Sequence, residues 1–307
     1  MNAAFWDGFL IHDGTIIQKT IVRKFGKEEL ARLAFIMLAV LTQGMITSIS
    51  DAEESTAGRE ALSTRTLRVC ADPNNLPYSN DKGEGFENKI AELLSAELGL
   101  PIQYTWFPQS FGFIRKTLKL RRCDLVIGIA TTSELVQNTN PYYHSVYSMV
   151  FREDSGINSN DLKLDKIKEK KFGVVAGTPP ASLLAKYGLM RQVKPYLLVV
   201  DTRLFKPAKD AVADVLNGET DVAMVWGPLA GYYVQQFNQN SSNPRLVIAP
   251  MVHEDNSIRL DFTISMAVRK REYVWKHKIN LALAKLQPAV DQILGEYGVP
   301  LVDKVGE

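Results

Sequence analysis

The stretch LRVCADPNNLPYSNDKGEGFENKIAELLSAELGL (67–100) decides the fold. Its first residues, LRVCAD, form an apolar run typical of a buried strand, and the Pro-, Asn- and Gly-rich residues that follow are typical of a loop. From Phe86 to Leu98 the apolar residues recur at helical spacing, and Gly99 ends that pattern. A strand, a loop and an amphipathic helix in this order predict an α/β fold in which the strand end presents the loop.

The same alternation continues along the chain. The first unit adds a strand at IQYTWF (102–107), a helix over about 110–120 and a strand at CDLVIGIA (123–130). The pattern then restarts as FGVVAG (172–177), a helix from Thr178 to about Leu189, LLVVD (197–201), the helix KDAVADVLNGE (209–219) and DVAMVW (221–226). Each unit predicts a parallel sheet with right-handed crossovers, whose ligands bind at the carboxyl ends of the strands.

Two extended runs separate these units. YYHSVYSMVFRE (142–153) precedes the second unit and DFTISMAVRK (261–270) follows it, as the two strands of a hinge would. The last helix is predicted from Lys278 to about Tyr297, with a kink or break at Pro288. The sequence therefore predicts a two-lobed α/β fold, with lobe 1 at 66–151 plus 262–307 and lobe 2 at 152–261.

The N-terminal region has the order of a secretory signal. Five basic residues between Lys19 and Arg32 precede the apolar run LAFIMLAVLTQGMI (33–46), and small residues follow it. We predict a signal peptide over 1–50, cleaved near Ser50 or Ala52, then a polar linker over 51–65. The protein would then lie in the periplasm and meet the membrane only through its export signal. The long stretch before the apolar run leaves an uncleaved anchor as the alternative.

Composition narrows the function classes. The chain of 307 residues is 46% hydrophobic and 23% charged, which is typical of globular domains. Its net charge of +2 comes from nearly balanced acids and bases without a basic stripe, so nucleic acid is excluded as the expected partner. A small ligand or a protein is the expected partner.

Five segments carry a resemblance to a known family. CADPNNLPYSN, GFENKIAELL, YTWFPQ, RCDLVIGI and DVAMVWGPLAGYY resemble the MoxJ/XoxJ family, whose members are type II periplasmic solute-binding-like proteins encoded with dehydrogenases that use pyrroloquinoline quinone (PQQ) to oxidise methanol or other alcohols. The resemblance covers about residues 66–305. It implies a periplasmic type II binding-protein fold, a PQQ-dependent alcohol dehydrogenase as partner, and a role in assisting that enzyme's maturation or activation. The alternative is the substrate-binding receptor of an ABC transporter for a small ligand other than an amino acid.

Amino-acid receptors of this superfamily hold their ligand with an arginine and an acid. The position eight residues before Pro141, where the arginine is usual, is Ser133, and the position two before Pro228, where the acid is usual, is Trp226. Loss of both charged anchors predicts poor binding of amino acids. It favours a partner segment or a hydrophobic or organic ligand.

The predicted cleft combines strand ends, loop residues and aromatic residues. The Gly177-Thr178 turn is included because free backbone N–H groups at a helix start favour anions. The full predicted set is Asp72, Asn74, Tyr78, Ser133, Tyr142, Gly177, Thr178 and Trp226.

The sequence predicts neither an enzyme nor a resident metal or cofactor. The four histidines form no closely spaced ligand pair, and no nucleophile, phosphate-binding or EF-hand motif is present. For an enzyme on this fold, Arg115 and His144 would be the candidate acid or anchor. Cys70 and Cys123 are an even pair suited to an oxidising compartment. Because they lie at opposite ends of predicted neighbouring strands, the spacing disfavours a disulfide between them, and a bulge or stagger in the strands is the alternative that would bring them together.

Overall fold

The computed structural model describes residues 62–157, 167–198, 201–240, 244–251 and 257–302. The predicted signal peptide with its cleavage sites, and residues 51–61 of the predicted linker, lie outside the described residues. Across the part of the chain that is described, no helix is both long and apolar enough to cross a membrane. In chain order the elements are β1 Leu67–Ala71, β2 Asn74–Asn75, β3 Ser79–Asn80, α1 Phe86–Leu98, β4 Ile102–Trp106, α2 Phe113–Lys116, β5 Leu125–Ala130, β6 Gln137–Arg152, β7 Phe172–Val175, α3 Pro179–Lys186, β8 Val193–Tyr196, α4 Pro207–Leu216, β9 Val222–Trp226, α5 Gly227–Asn240, β10 Leu246–Pro250, β11 Asp261–Val268 and α6 Tyr273–Glu296.

The first lobe is built on β1. Strands β4 and β5 flank β1 in parallel, and β11 pairs antiparallel with β5. Helices α1 and α6 supply Ile90, Leu94, Ile279 and Leu294 to one apolar core with Val69 of β1. The first lobe therefore joins the beginning of the described chain to its last helix.

Strand β6 belongs to both lobes. Residues 137–146 pair with β11, whereas residues 147–152 lie between β9 and β10. The apolar cores change at the same place, because Tyr143 packs in the first-lobe core and Val146 packs in a core of the second lobe. The hydrogen-bonded strands thus run from β4 to β8 through the shared strand β6. The point at which β6 exchanges its first-lobe partner for second-lobe partners lies before the predicted lobe boundary at residue 151.

The second lobe repeats the α/β pattern. Strands β8, β7 and β9 are parallel neighbours, and β9 pairs antiparallel with β6. Helix α3 packs on one face with β7, and helices α4 and α5 pack with Val150 and Ala223 in a separate core. The two-lobed α/β fold predicted from the sequence is confirmed.

Three predicted elements differ in position or continuity. The described second-lobe strand is VKPY (193–196), immediately before the predicted strand LLVVD (197–201), of which residues 199–200 lie outside the described residues. Pro195 lacks an N–H, but β8 is the edge strand, where that loss is tolerated. The helix predicted over 110–120 is α2 followed by a 3₁₀ turn at Leu118–Leu120. Helix α6 begins at Tyr273 and runs through Pro288, whose exposed side lets water hydrate the carbonyl group that loses its helical partner.

Cys70 and Cys123 form a disulfide, the alternative that the strand spacing disfavoured. Their Cα atoms lie 5.5 Å apart. The prediction placed Cys123 at the start of the strand, but β5 begins at Leu125, so Cys123 lies two residues before the paired strand. Both cysteines pack with Phe113 and Leu118 in one small apolar cluster. The distance between them is therefore not set by the spacing of residues along the paired strands.

Candidate functional site: a cavity between the lobes

A cavity of about 300 Å³ lies between the lobes. The first lobe contributes the loop after β1 and Gln109, β6 contributes Tyr147, and the second lobe contributes the ends of β7 and β9 and the start of α4. Its walls are largely apolar and aromatic. The lining residues are Asn75, Tyr78, Gln109, Tyr147, Val175, Thr178, Leu198, Thr202, Phe205, Lys206, Pro207, Ala208, Met224, Val225, Trp226, Leu229 and Tyr233.

The loop after β1 is fixed by its own polar groups. The Asp72 carboxyl group accepts hydrogen bonds from the backbone N–H groups of Asn74 (2.9 Å) and Gln109 (2.6 Å). The Tyr78 carbonyl accepts the Glu87 N–H at 2.8 Å, which ties the loop to the start of α1. A Cβ atom at Gly85 would overlap this carbonyl, so only glycine allows the close approach that holds Tyr78 at the cavity.

Aromatic side chains form the wall at the hinge. Tyr147 of β6 pairs with Trp226 of β9, and their rings meet edge to face at 5.3 Å. Phe262 of β11 packs against both rings, at 6.4 Å from Tyr147 and 5.8 Å from Trp226. Trp226 also packs against the first-lobe core although β9 belongs to the second lobe. This aromatic cluster therefore spans the hinge and one wall of the cavity.

The cavity has little charge. Among its described lining residues, Lys206 is the one charged side chain, and burial lowers the pKa of its ammonium group. Its Nζ donates a hydrogen bond to the Asn74 carbonyl across the lobes. Burial raises the pKa of Tyr147 to about 12 and raises the pKa of Tyr78 and Tyr233 as well, so these phenols are neutral hydrogen-bond donors at neutral pH.

Three contacts close the lobes over the cavity. The Thr202 hydroxyl donates to the Asp72 carboxyl group at 2.7 Å, and this bond is buried. Lys206 bonds to the Asn74 carbonyl, and the Tyr233 hydroxyl donates to the Leu76 carbonyl at 3.4 Å. All three reach from the second lobe to the loop after β1, so this loop is the closing surface of the first lobe.

The structure brings three of the predicted cleft residues together at the cavity, namely Tyr78, Thr178 and Trp226. Asp72 lies behind the wall, where it braces the loop, and Asn74 contributes its carbonyl group to closure. Ser133 lies in the turn after β5, where its N–H donates to the Ala130 carbonyl, away from the cavity.

Tyr142 was predicted to line the cleft, but it lies in the first-lobe core. Its hydroxyl donates to the Ile127 carbonyl at 3.1 Å, and burial raises its pKa well above the usual value. Ile264 of β11 pairs with Tyr143 and Ser265 pairs with Pro141, so Tyr142 is the extra residue of a β-bulge. A bulge re-aims side chains and cannot be read from alternation.

The Gly177-Thr178 turn, predicted to favour anions, lies at the start of α3. Helix α3 begins with Pro179 and Pro180, which have no N–H group. The Thr178 and Ala181 N–H groups donate to the carbonyls of Val175 and Thr178. Gly177 adopts a φ of +77° and does not line the cavity. This helix start therefore has few backbone donors to offer a ligand carboxylate.

Several other lining residues could not be located from the sequence patterns alone. Tyr233 lies on α5 four residues after Leu229, which also lines the cavity, and this spacing of about one helical turn could have identified it. Gln109, Phe205 and Lys206 come from irregular segments, for which no periodicity exists. The described residues contain no group of three or more His, Cys, Asp or Glu side chains that could hold a metal ion.

Two lobes that share a strand and close on a cavity define a binding protein of the two-lobed periplasmic class. The chain belongs to the bacterial extracellular solute-binding proteins, family 3, whose profile matches residues 67–298. It is similar to protein MoxJ of Methylorubrum extorquens, with 30% identity over 250 residues that cover 77% of this chain and 82% of MoxJ.

Two crystal structures are also similar to this chain. The periplasmic binding protein XoxJ of Methylobacterium extorquens is 36% identical, with a TM-score of 0.64 over 78% of this chain and 100% of XoxJ. MxaJ of Methlophaga aminisulfidivorans is 26% identical, with a TM-score of 0.63 over 77% of this chain and 100% of MxaJ. The resemblance to the MoxJ/XoxJ family is confirmed.

Proposed function

We propose that this protein is a periplasmic accessory protein of a PQQ-dependent methanol or other alcohol dehydrogenase system. It captures an apolar segment of the dehydrogenase between its lobes and thereby assists maturation or activation of the enzyme. The observation that carries the proposal is the aromatic cavity, whose described walls hold one lysine and no paired arginine and acid. The similarity to MoxJ and XoxJ supports the link to alcohol oxidation.

The cavity walls disfavour a free amino acid. Its carboxylate and ammonium groups would leave water, and the described lining residues offer Lys206 to the carboxylate and no acidic side chain to the ammonium group. Burying a charge without a matched partner costs several kcal/mol. An apolar side chain incurs no such cost, and a buried aromatic anchor contributes about 2 kcal/mol or more at a protein interface.

Trp226, Tyr78 and Tyr233 are the proposed contacts for that apolar side chain. Trp226 lies at the end of β9, and the two tyrosines approach from the first-lobe loop and from α5. Thr178 is the proposed polar contact beside them. These residues surround one space from both lobes, so a bound side chain would favour the closed arrangement.

The test measures whether the full-length protein captures the alcohol dehydrogenase that is purified from the cells that produce both proteins. Trp226→Ala should weaken capture while circular dichroism shows an unchanged fold. Trp106→Ala is the matched control, because Trp106 is also part-buried but does not line the cavity. Full capture by the Trp226→Ala variant, or micromolar binding of a common amino acid in calorimetry, would contradict the proposed site.

The alternative function is a transport receptor for a small hydrophobic or organic ligand. A cavity of about 300 Å³ favours it, because small-molecule sites have volumes of about 300 Å³ and more. A ligand-dependent rise in melting temperature, without capture of the dehydrogenase, would support the receptor. Capture without any such ligand would support the accessory role.

The proposed location is the periplasm, reached through a signal peptide that is removed near Ser50 or Ala52. Mass spectrometry of the protein purified from periplasmic extract should find an N-terminus close to these residues. Recovery of the uncleaved chain in the membrane fraction would instead support an anchor.

A further inference from the structure

A second apolar groove opens beside the cavity between the lobes. It has a volume of about 390 Å³ and shares Gln109 and Leu198 with the cavity. Phe111, with 79% of its surface exposed, Leu135 and Leu198 bring large apolar side chains to it. We call this surface the rim groove; it is lined by Gln109, Ser110, Phe111, Gly112, Phe113, Ile114, Arg115, Leu135 and Leu198.

A run of cations begins in the rim groove. The segment RKTLKLRR (115–122) contains five basic residues and no acid, and all five are exposed. No described carboxylate lies within ion-pair distance of Arg115, Lys119 or Arg122. Glu134, next to Leu135, is an exposed acid beside the groove. The basic segment thus concentrates positive charge on a chain with a net charge of only +2.

The basic segment is rigidly held. Phe113, Ile114 and Leu118 are buried beneath it, and the Thr117 hydroxyl donates to the Phe113 carbonyl at 2.6 Å. The disulfide from Cys123 to Cys70 fixes its end to β1. The exposed charges and Phe111 are therefore presented by an ordered surface, which lowers the entropy lost when a partner binds.

We infer that the rim groove and the basic segment dock an acidic polypeptide segment of the partner dehydrogenase that carries an apolar anchor side chain. Complementary charge steers and orients such a segment, and the groove receives the anchor. A concave groove fits a projecting side chain better than a flat lipid surface, which favours a protein partner. Because Leu198 belongs to the second lobe and Phe111 to the first, the docked segment contacts both lobes. The inference rests on the proposed function, since it names the surface through which the dehydrogenase is captured.

The experiment measures binding of the full-length protein to the immobilised, purified dehydrogenase. The charge variant is Arg115→Glu with Lys119→Glu, and the apolar variant is Phe111→Ser. The matched control is Lys168→Glu with Lys171→Glu, an equal charge change at exposed lysines that precede β7, at the strand end away from the cavity. Circular dichroism and thermal unfolding check that every variant is folded.

The charge variant should bind about tenfold more weakly at about 0.05 M salt and lose most of that difference at about 0.5 M, because salt screens exposed charges. Phe111→Ser should weaken binding about tenfold at both salt concentrations, and the control should stay within about twofold of wild type. If both rim variants bind the dehydrogenase as tightly as the wild type does, the proposed docking surface is wrong, but the proposed function is unaffected. If the wild type does not bind the dehydrogenase, both proposals fail.

Vesicle sedimentation tests the lipid alternative. Wild type and variants are mixed with vesicles of anionic phosphatidylglycerol and, separately, of neutral phosphatidylcholine. One outcome would assign the rim groove to a lipid surface and overturn the inference. In that outcome the wild type binds the anionic vesicles, the rim variants do not, and all of them bind the dehydrogenase equally. Equal sedimentation of all proteins supports the protein partner.

Discussion

Glu87 at the start of α1 should make stability fall as pH rises. Its side chain is buried, and burial, with a smaller contribution from the negative charge of Asp72, raises its pKa from 4.5 to about 8. The first-turn position alone would favour the ionised form, yet the surroundings are Tyr78, Tyr142 and Tyr143 and not a cation. Folding therefore keeps this carboxyl group protonated at neutral pH.

The direction and size of this pH dependence follow from the linkage between proton binding and folding. Between pH 4.5 and about 8 the folded state holds a proton at Glu87 that the unfolded state releases, so the free energy of unfolding falls by about 1.4 kcal/mol per pH unit. Over the whole interval the loss is roughly 5 kcal/mol. Below pH 4.5 the contribution is fully present, and above about 8 no further loss occurs.

Replacement of Glu87 by Gln keeps the shape of the side chain and removes its titration. Urea unfolding between about pH 5 and pH 9 should give similar stability for both proteins at the acid end and a more stable Glu87→Gln variant at the alkaline end. Glu92→Gln is the control, because Glu92 is exposed on the same helix. Parallel pH profiles of wild type and Glu87→Gln would refute the reasoning.

Replacing both Cys70 and Cys123 by Ala should lower the free energy of unfolding by about 4 kcal/mol, because the disulfide closes a loop with a sequence separation of 53; a loss below about 1 kcal/mol in urea unfolding would contradict this account. Gly231→Ala should cost about 1 to 3 kcal/mol in the same assay, since a Cβ there would overlap the Gly298 carbonyl, whereas Gly295→Ala, which meets nothing within 4 Å, should be neutral or stabilising. Thr202→Val removes the bond that Thr202 donates to Asp72 across the lobes, worth about 1 to 3 kcal/mol, and should enlarge the radius of gyration in X-ray scattering; an unchanged radius would show that this bond does not control closure.

Elements with a clear period could be predicted from the sequence. The strand β1 and helix α1 follow from apolar spacing, and the hinge follows from two extended runs around the second unit. Strand β8 could not be predicted, because Pro195 argues against a strand unless its edge position is known. The disulfide also escaped prediction, since it depends on how the chain enters β5 and not on spacing along the strand.

The residues of the candidate site also divide into those that the sequence predicts and those that it does not. Tyr78 and Trp226 follow the rule that ligands of parallel sheets meet the carboxyl ends of strands, and both line the cavity. Tyr142 is placed by a bulge in β6, which no alternation pattern reveals. Lys206 and Phe205 come from an irregular segment before α4, which has no periodicity from which their positions could be predicted.

The return of α6 to the first lobe affects the order in which a chain that emerges from its N-terminal end into an oxidising compartment can fold. Trp275, Ile279 and Leu294 complete the core around β1, and β11 fills the place between β5 and β6. The first lobe therefore cannot finish folding until α6 has emerged, whereas the second lobe is one uninterrupted segment that is complete earlier. Cys70 and Cys123 both precede that segment, so their bond can hold the early strands together while they wait for the C-terminal helix.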